Sequence, residues 1–106
     1  MRLAEQECEA PVAGMEPLSP EEAEELARQV PAWTRKGDAI ERELQFEDFQ
    51  EAMDFVNDVA DLAQEQDHHP DIYISYDKVR LEFSTHNIGG LSKNDFIMAA
   101  KVDQLL

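Results

Sequence analysis

The sequence has few of the residues that mark a secreted or membrane protein. Cys8 is its one cysteine, so no disulfide can form within the chain. No signal-peptide pattern is present at the start, and no apolar run approaches the roughly 20 residues that a membrane-spanning helix needs. We therefore expect a cytoplasmic protein without a membrane segment, in a compartment where thiols stay reduced.

Basic residues are also scarce. Lysine and arginine number 9 against 24 aspartates and glutamates, which gives a formal net charge of -15. Proteins that bind nucleic acid or anionic membranes present clustered cations to the phosphates, and this sequence contains no such cluster. The composition argues against both as direct partners, whereas the acidity itself mainly favours solubility.

The 106 residues suffice for one small domain with a modest core. Residues 1–17 are predicted to form an acidic, flexible tail, because glutamates are interleaved with proline and glycine and no periodicity is present. Cys8 lies in this tail without a histidine or basic neighbour to activate it, so we interpret it as an idle thiol. Residues 18–106 are predicted to form the folded domain.

The folded domain is predicted to begin with a helix and two strands. Ser19 is a suitable N-cap, Pro20 suits the first helical position, and a further proline is expected to end the helix. Residues 32–36 and 39–46 then indicate strands joined by a glycine-containing turn. Trp33, the only tryptophan, is interpreted either as a packing anchor at the sheet edge or as a wall of a ligand site.

The clearest helix is predicted over residues 48–66. Apolar residues recur there at spacings of three and four, which indicates one buried stripe. The acidic residues of the segment lie mostly off that stripe and are interpreted as a solvated face. The predicted buried stripe consists of Phe49, Ala52, Met53, Val56, Val59, Ala60 and Ala63.

A second pair of strands is predicted over residues 72–76 and 79–85. Their connection at Asp77-Lys78 is short enough for a hairpin. Alternation along the second of these strands predicts an apolar face and a polar face. The apolar face would carry Val79, Leu81 and Phe83, and the polar face Arg80, Glu82, Ser84 and, at the strand end, His86.

A last helix is predicted to be capped by Ser92, with Asp95 three residues on in the capping-box position. The order helix, two strands, helix, two strands, helix, with a short connection within each pair of strands, predicts an α+β fold. Its expected form is a four-stranded antiparallel sheet with three helices packed on one face.

The three histidines of the chain are His68, His69 and His86. Because the predicted hairpin reverses the chain, His86 should lie beside His68 and His69. Pro70 favours an extended His69 and so fixes the chain as it leaves the helix. Titratable groups that converge in this way often mark a functional site.

Three interpretations of this histidine cluster are open. The histidines could be structural, with His68 capping a helix end. They could bind a catalytic metal with Asp67 or Asp95, although side chains of consecutive extended residues diverge and no cysteine lies nearby. They could also form a metal-free acid-base site for a small polar ligand, because histidine titrates nearest neutral pH. The residues favour this last interpretation and indicate proton transfer.

From about residue 19 onward the sequence resembles the pterin-4a-carbinolamine dehydratases. Paired histidines followed by proline, with Thr-His at this distance, are a specific combination. One position departs from the family pattern, since Gln64 stands where members often carry a glutamate. The motifs that carry the resemblance are Asp67-His68-His69-Pro70, Ser84-Thr85-His86, Gly90-Leu91-Ser92 and Asp95-Phe96.

The resemblance implies dehydration of 4a-hydroxytetrahydrobiopterin or a related pterin to the quinonoid dihydropterin, which recycles the cofactor of aromatic amino-acid hydroxylases. It implies a homodimer or homotetramer, and it implies neither a metal nor an organic cofactor, since the pterin is the substrate. The implied catalytic residues are His68, His69 and His86. The implied substrate contacts are Asp67, Ser84, Thr85, Asn87 and Trp33. Pro70 and Asp95 are implied to support the site, and Asp95 could orient His86.

A non-enzymatic role is the alternative that the resemblance leaves open. Some members also bind a homeodomain transcription factor, and other proteins of this fold act as assembly factors for a carbon-fixing enzyme. The assembly factors have lost the active-site histidines. Retention of all three histidines here favours an enzyme over a pure binding module.

Overall fold

The computed structural model describes residues 2–10 and 15–106. It has the predicted order of helices and strands, with two additional 3-10 turns at Leu3–Glu5 and His86–Ile88. The α-helices are α1 (Pro20–Ala27), α2 (Phe49–Gln66) and α3 (Lys93–Asp103), and the strands are β1 (Thr34–Lys36), β2 (Ala39–Gln45), β3 (Asp71–Ser75) and β4 (Lys78–Phe83).

The four strands form one sheet in the order β1-β2-β4-β3, and every neighbouring pair is antiparallel. Val79, Leu81 and Phe83 are fully buried on one face of β4, as their alternation predicted. Helices α2 and α3 contact β4, and α1 packs on α3. The predicted α+β fold is therefore confirmed.

Helix α1 begins as the sequence predicted. The Ser19 side chain accepts a hydrogen bond from the Glu22 amide, and the Glu22 carboxylate accepts one from the Ser19 amide. This reciprocal capping box satisfies two amides that would otherwise lack partners. The helix ends at Ala27, earlier than expected, and buried Val30 belongs to the turn that follows.

The buried face of α2 is rotated relative to the predicted stripe. Phe49 and Ala60, which were predicted to be buried, are exposed, and Phe55 lies in the core instead. Phe49 opens the helix and stacks against exposed Tyr76, with 6.4 Å between ring centroids. Spacing alone could not show which of two overlapping apolar faces meets the sheet. The buried residues of α2 are Ala52, Phe55, Val56, Val59, Ala63 and Gln66.

The sheet face opposite the helices is charged. Arg80 lies 4.0 Å above the Tyr73 ring centroid and pairs with Glu82 at 2.8 Å. Lys36 and Glu41 form a further pair at 2.7 Å. Because of these pairs, water can solvate this face of the sheet. The face therefore does not need to be covered by a second copy of the chain.

The described part of the predicted tail packs against the domain. Leu3 is 1% exposed and lies in the core, and the Lys101 ammonium donates to the Ala4 carbonyl at 3.0 Å. The sequence did not predict this packing. One buried apolar residue and a few long-range polar contacts leave no periodicity that a sequence pattern could show. Flexibility of the segment stays a prediction, and residues 11–14 lie outside the described residues.

Within the described residues, no helix combines the length and the apolar character needed to cross a membrane.

Candidate active site

An open cleft of about 470 Å³ lies where the end of α2 meets the loop after β4. It contains the three histidines, as the hairpin argument predicted. Four further residues named from the sequence also line it, together with one that was not anticipated. The lining residues are Asp67, His68, His69, Ser84, Thr85, His86, Asn87 and, unanticipated, Ala10.

The end of α2 presents the first two histidines to this cleft. Asp67 caps the helix in the left-handed conformation, with φ of 51°, and its amide donates to the Ala63 carbonyl. The His68 amide donates to the same carbonyl at 3.2 Å. A short aspartate side chain tolerates the left-handed region better than most residues. The chain therefore reverses at Asp67 and places both histidines before β3.

His86 reaches the cleft by a different route from the one predicted. β4 ends at Phe83, and His86 begins a 3-10 turn instead of ending a strand. The Thr85 amide donates to the Gly90 carbonyl at 3.0 Å and closes a loop that carries His86 outward. His86 is exposed, and its Nε2 lies 3.3 Å from the Ser84 hydroxyl.

Asp95 is fully buried beneath the cleft and has partners on both carboxylate oxygens. Oδ1 lies 2.6 Å from His68 Nε2. Oδ2 accepts from the Thr85 hydroxyl at 3.0 Å and from the Ser92 amide at 2.9 Å. The predicted capping role of Asp95 is confirmed. The expectation that it orients His86 is wrong, because a carboxylate turned back toward the start of α3 meets His68, whereas His86 lies on the exposed turn.

The two adjacent histidines have different surroundings. His68 is 9% exposed, and its ring stacks on Phe83 at 6.2 Å with an interplanar angle of 11°. Because an ionised carboxylate can only accept hydrogen bonds, the contact with Asp95 assigns the ring proton of His68 to Nε2 and leaves Nδ1 as the acceptor nitrogen. His69 is exposed, and its Nε2 lies 2.6 Å from Oε1 of Gln64, the residue that departs from the family pattern.

Trp33 is not brought to the cleft. It is 6% exposed, its Nε1 donates to Asp103 at 2.8 Å, and its ring packs 5.6 Å from Phe83. These surroundings match the alternative interpretation, a packing anchor, and do not support the substrate contact implied by the resemblance. Pro70 precedes β3 and does not line the cleft either, in keeping with a supporting position.

Sequence reasoning missed Ala10 and the contact of Phe83 with His68. Alternation indicated that Phe83 faces inward, but nothing local showed which ring it meets. No pattern in the acidic segment signalled that Ala10 would return to the histidines. Among residues 2–10 and 15–106, no three side chains of histidine, cysteine, aspartate or glutamate are grouped to hold a metal ion.

Comparison with known proteins gives consistent matches. A family model described as Pterin 4 alpha carbinolamine dehydratase matches residues 16–105. A protein of Nitrosospira multiformis, provisionally named pterin-4-alpha-carbinolamine dehydratase, is 47% identical over 103 residues, or 97% of this chain and 91% of the relative. A Rubrobacter xylanophilus protein with the same provisional name is 47% identical over 104 residues, with 97% of each chain covered.

The fold also matches a solved structure. The crystal structure of a transcriptional coactivator/pterin dehydratase from Brucella Melitensis has a TM-score of 0.80 to this chain at 30% identity. The match covers 85% of this chain and 98% of that one. With the family model and the relatives, it shows that this chain belongs to the pterin 4 alpha carbinolamine dehydratase family.

Proposed function

We propose that this protein is a dehydratase that converts 4a-hydroxytetrahydrobiopterin, or a related 4a-hydroxytetrahydropterin, to the quinonoid dihydropterin and water. The observation that supports it is the convergence of His68, His69 and His86 on one open cleft. Beneath that cleft a buried carboxylate fixes His68. Membership of the family supports the same reaction class.

The reaction suits histidine side chains. The C4a–O bond breaks when its hydroxyl is protonated, and the N5–H bond gives up its proton as the C4a=N5 double bond forms. One acid and one base are required, and no electron acceptor takes part. His68 offers Nδ1 at a fixed position, whereas exposed His69 and His86 can exchange protons with solvent between turnovers.

Polar residues of the cleft would bind the pterin edge. We propose Asp67, Ser84 and Asn87 for this role, because they line the cleft. Thr85 is 4% exposed, and its hydroxyl already contacts Asp95 and, at 2.7 Å, the Ser92 hydroxyl. Thr85 is therefore better suited to hold Asp95 in place than to bind substrate.

A dehydration assay tests the proposal. The purified protein should accelerate conversion of chemically generated 4a-hydroxytetrahydropterin, followed by the ultraviolet absorbance of the quinonoid product. Separate His68→Ala, His69→Ala and His86→Ala variants should lose about 100- to 10,000-fold in rate, toward the smaller end because the 4a-hydroxyl is an activated leaving group. Variants that stay folded with full turnover would contradict the proposal.

We further propose that turnover needs no metal or organic cofactor, and that the enzyme works in the cytoplasm as a homodimer or homotetramer beside an aromatic amino-acid hydroxylase. Turnover should be unchanged after exhaustive chelation. Loss of turnover on chelation, with recovery on adding zinc, would refute the metal-free mechanism.

A binding role is the second candidate. The Brucella relative is described as both coactivator and dehydratase. Phe49 and Tyr76 also form an exposed stacked pair, with 48% and 67% of their surfaces accessible. Absence of turnover in folded wild-type protein, with partner binding retained in the His68→Ala variant and lost in Phe49→Ala, would favour this role over the enzyme.

A further inference from the structure

The N-terminal segment, defined here as residues 3–10, runs along α3 from its end to its beginning. Near the end of α3, Lys101 donates to the Ala4 carbonyl. At the beginning of α3, Asn94 binds Glu9, and the next residue, Ala10, lines the histidine cleft. The segment lies entirely outside residues 16–105, which the family model matches.

Two buried amide side chains hold the part of this segment nearest the cleft. Gln66 accepts from the Cys8 amide at 2.9 Å and donates to the Glu7 carboxylate. Asn94 accepts from the Glu9 amide at 3.0 Å and donates to the Glu9 carbonyl. Gln66 and Asn94 are each 8% exposed, so loss of the segment would leave buried donors and acceptors without these partners.

The two anchors lie next to, or two residues from, the partners of the buried His68–Asp95 hydrogen bond. Gln66 is the last residue of α2 and lies two positions before His68. Asn94 immediately precedes Asp95 on α3. The N-terminal segment therefore bridges the two backbones that carry the 2.6 Å contact between His68 Nε2 and Asp95 Oδ1.

We propose that Gln66 and Asn94 are positioning residues that act through the N-terminal segment. By binding one segment from two sides, they hold the end of α2 and the start of α3 at the separation that the His68–Asp95 contact requires. The same anchoring keeps Ala10 at the cleft wall. The kinetic consequence rests on the proposed dehydratase function, whereas the effect on the His68 ring does not.

Four substitutions weaken the anchoring, two from each side. Gln66→Met and Asn94→Leu keep side-chain volume and remove the amides. Cys8→Pro and Glu9→Pro remove the backbone donors and leave both anchors intact. The matched control is Gln29→Met, because Gln29 accepts from the Leu3 amide at 3.3 Å at the far end of the same segment and is exposed.

The measurements are kcat and KM for 4a-hydroxytetrahydropterin and the 15N chemical shifts of the His68 ring. We expect kcat to fall by about 10- to 100-fold in the four variants, because small displacements of reacting groups carry costs of this order. KM should change less. The His68 ring shifts should move toward those of a mixed tautomer, and Gln29→Met should match the wild type in both measurements.

Wild-type ring shifts and kcat in folded Gln66→Met and Asn94→Leu proteins would overturn the proposal. If those two do not fold, the proline variants decide in the same way. Wild-type protein without turnover, but with His68 shifts that move in these variants, would refute the dehydratase and retain the positioning role. Turnover in the wild-type protein, with His68 shifts that do not move in these variants, would support the dehydratase and refute the positioning role.

Discussion

At the scale of single residues, Asp95 joins the fold to the chemistry. One oxygen caps α3 and the other meets His68, so a residue recognisable as a helix cap also fixes the ring of a proposed catalytic group. The local cap could be predicted from the spacing of Ser92 and Asp95. Its second partner could not, because His68 is 27 residues away and sequence spacing carries no information on that contact.

Replacement of Asp95 by asparagine should separate these roles. The asparagine oxygen can still accept from the Ser92 amide, but the amide nitrogen then faces His68 Nε2 and forces that nitrogen to become the acceptor. The proton moves to Nδ1, and we expect turnover to fall by about 10- to 100-fold. Ring 15N shifts of His68 should show the reversed tautomer.

Glu22→Gln is the matched control for this substitution, since Glu22 occupies the same capping-box position in α1, away from the cleft. It should leave turnover and the His68 spectrum unchanged. An Asp95→Asn protein with wild-type turnover and an unchanged His68 tautomer would show that Asp95 serves the helix alone.

Cys8 should be unreactive in the folded protein. Burial raises the pKa of its thiol to about 11, with Lys101 opposing the shift. Since the unperturbed thiol has a pKa of 9.0, alkylation by iodoacetamide at pH 8 should be roughly 100-fold slower in the folded protein than in urea. Equal rates in the two states would contradict the packing of the segment.

The same pKa shift should make stability depend on alkaline pH. The thiol ionises more readily in the unfolded chain, so its contribution is complete below the unfolded pKa near 9 and is lost as pH rises toward 11. As the pH rises from 8 to 11, the melting temperature should fall more steeply for the wild type than for Cys8→Ala. Parallel curves would exclude this contribution.

At the scale of elements, the turn between β3 and β4 shows what a sequence conceals. The turn was predicted at Asp77-Lys78 but lies one position earlier, because Tyr76 adopts a left-handed conformation with φ of 55°. Tyrosine rarely occupies that region, so no turn signal was present. The turn between β1 and β2 was predicted at its observed position. Gly37 lies there with φ of 56°, and glycine is the residue type that such a turn favours.

The folded protein should therefore be more stable with glycine at position 76 than with alanine, although alanine is usually the more stabilising of the two. Both substitutions remove the ring that stacks on Phe49, and glycine alone relieves the contact of Cβ with the backbone. We expect Tyr76→Gly to exceed Tyr76→Ala by about 1 kcal/mol in the free energy of unfolding, measured by urea titration. Equal stabilities, or a more stable alanine variant, would show that the turn carries no such strain.

At the scale of the whole molecule, the fold was more predictable than the site. Element order follows from capping residues and hydrophobic periodicity, which are local, and the sheet follows from short connections. The cleft depends on contacts between distant parts of the chain. Histidine convergence was predictable because one hairpin separates the three residues, whereas the N-terminal wall at Ala10 was not, since it arrives from the opposite end of the sequence.

Self-association is also a property of the whole molecule. The family resemblance implies an oligomer, and the exposed pair Phe49 and Tyr76 gives the chain apolar surface that a second copy could cover. Light scattering at micromolar concentration should give a mass of at least twice 12.1 kDa. A monomer at that concentration would contradict the expectation, and added salt should favour association by screening the charge of -15.

The position of the N-terminal segment has a consequence for synthesis of the chain. Residues 3–10 are synthesised long before two of their partners, Asn94 and Lys101. Leu3 therefore lacks its contacts with α3 until that helix has been synthesised. A nascent chain that stops before α3 should be a better substrate for chaperones and proteases than its length suggests, and completion of α3 should end that vulnerability.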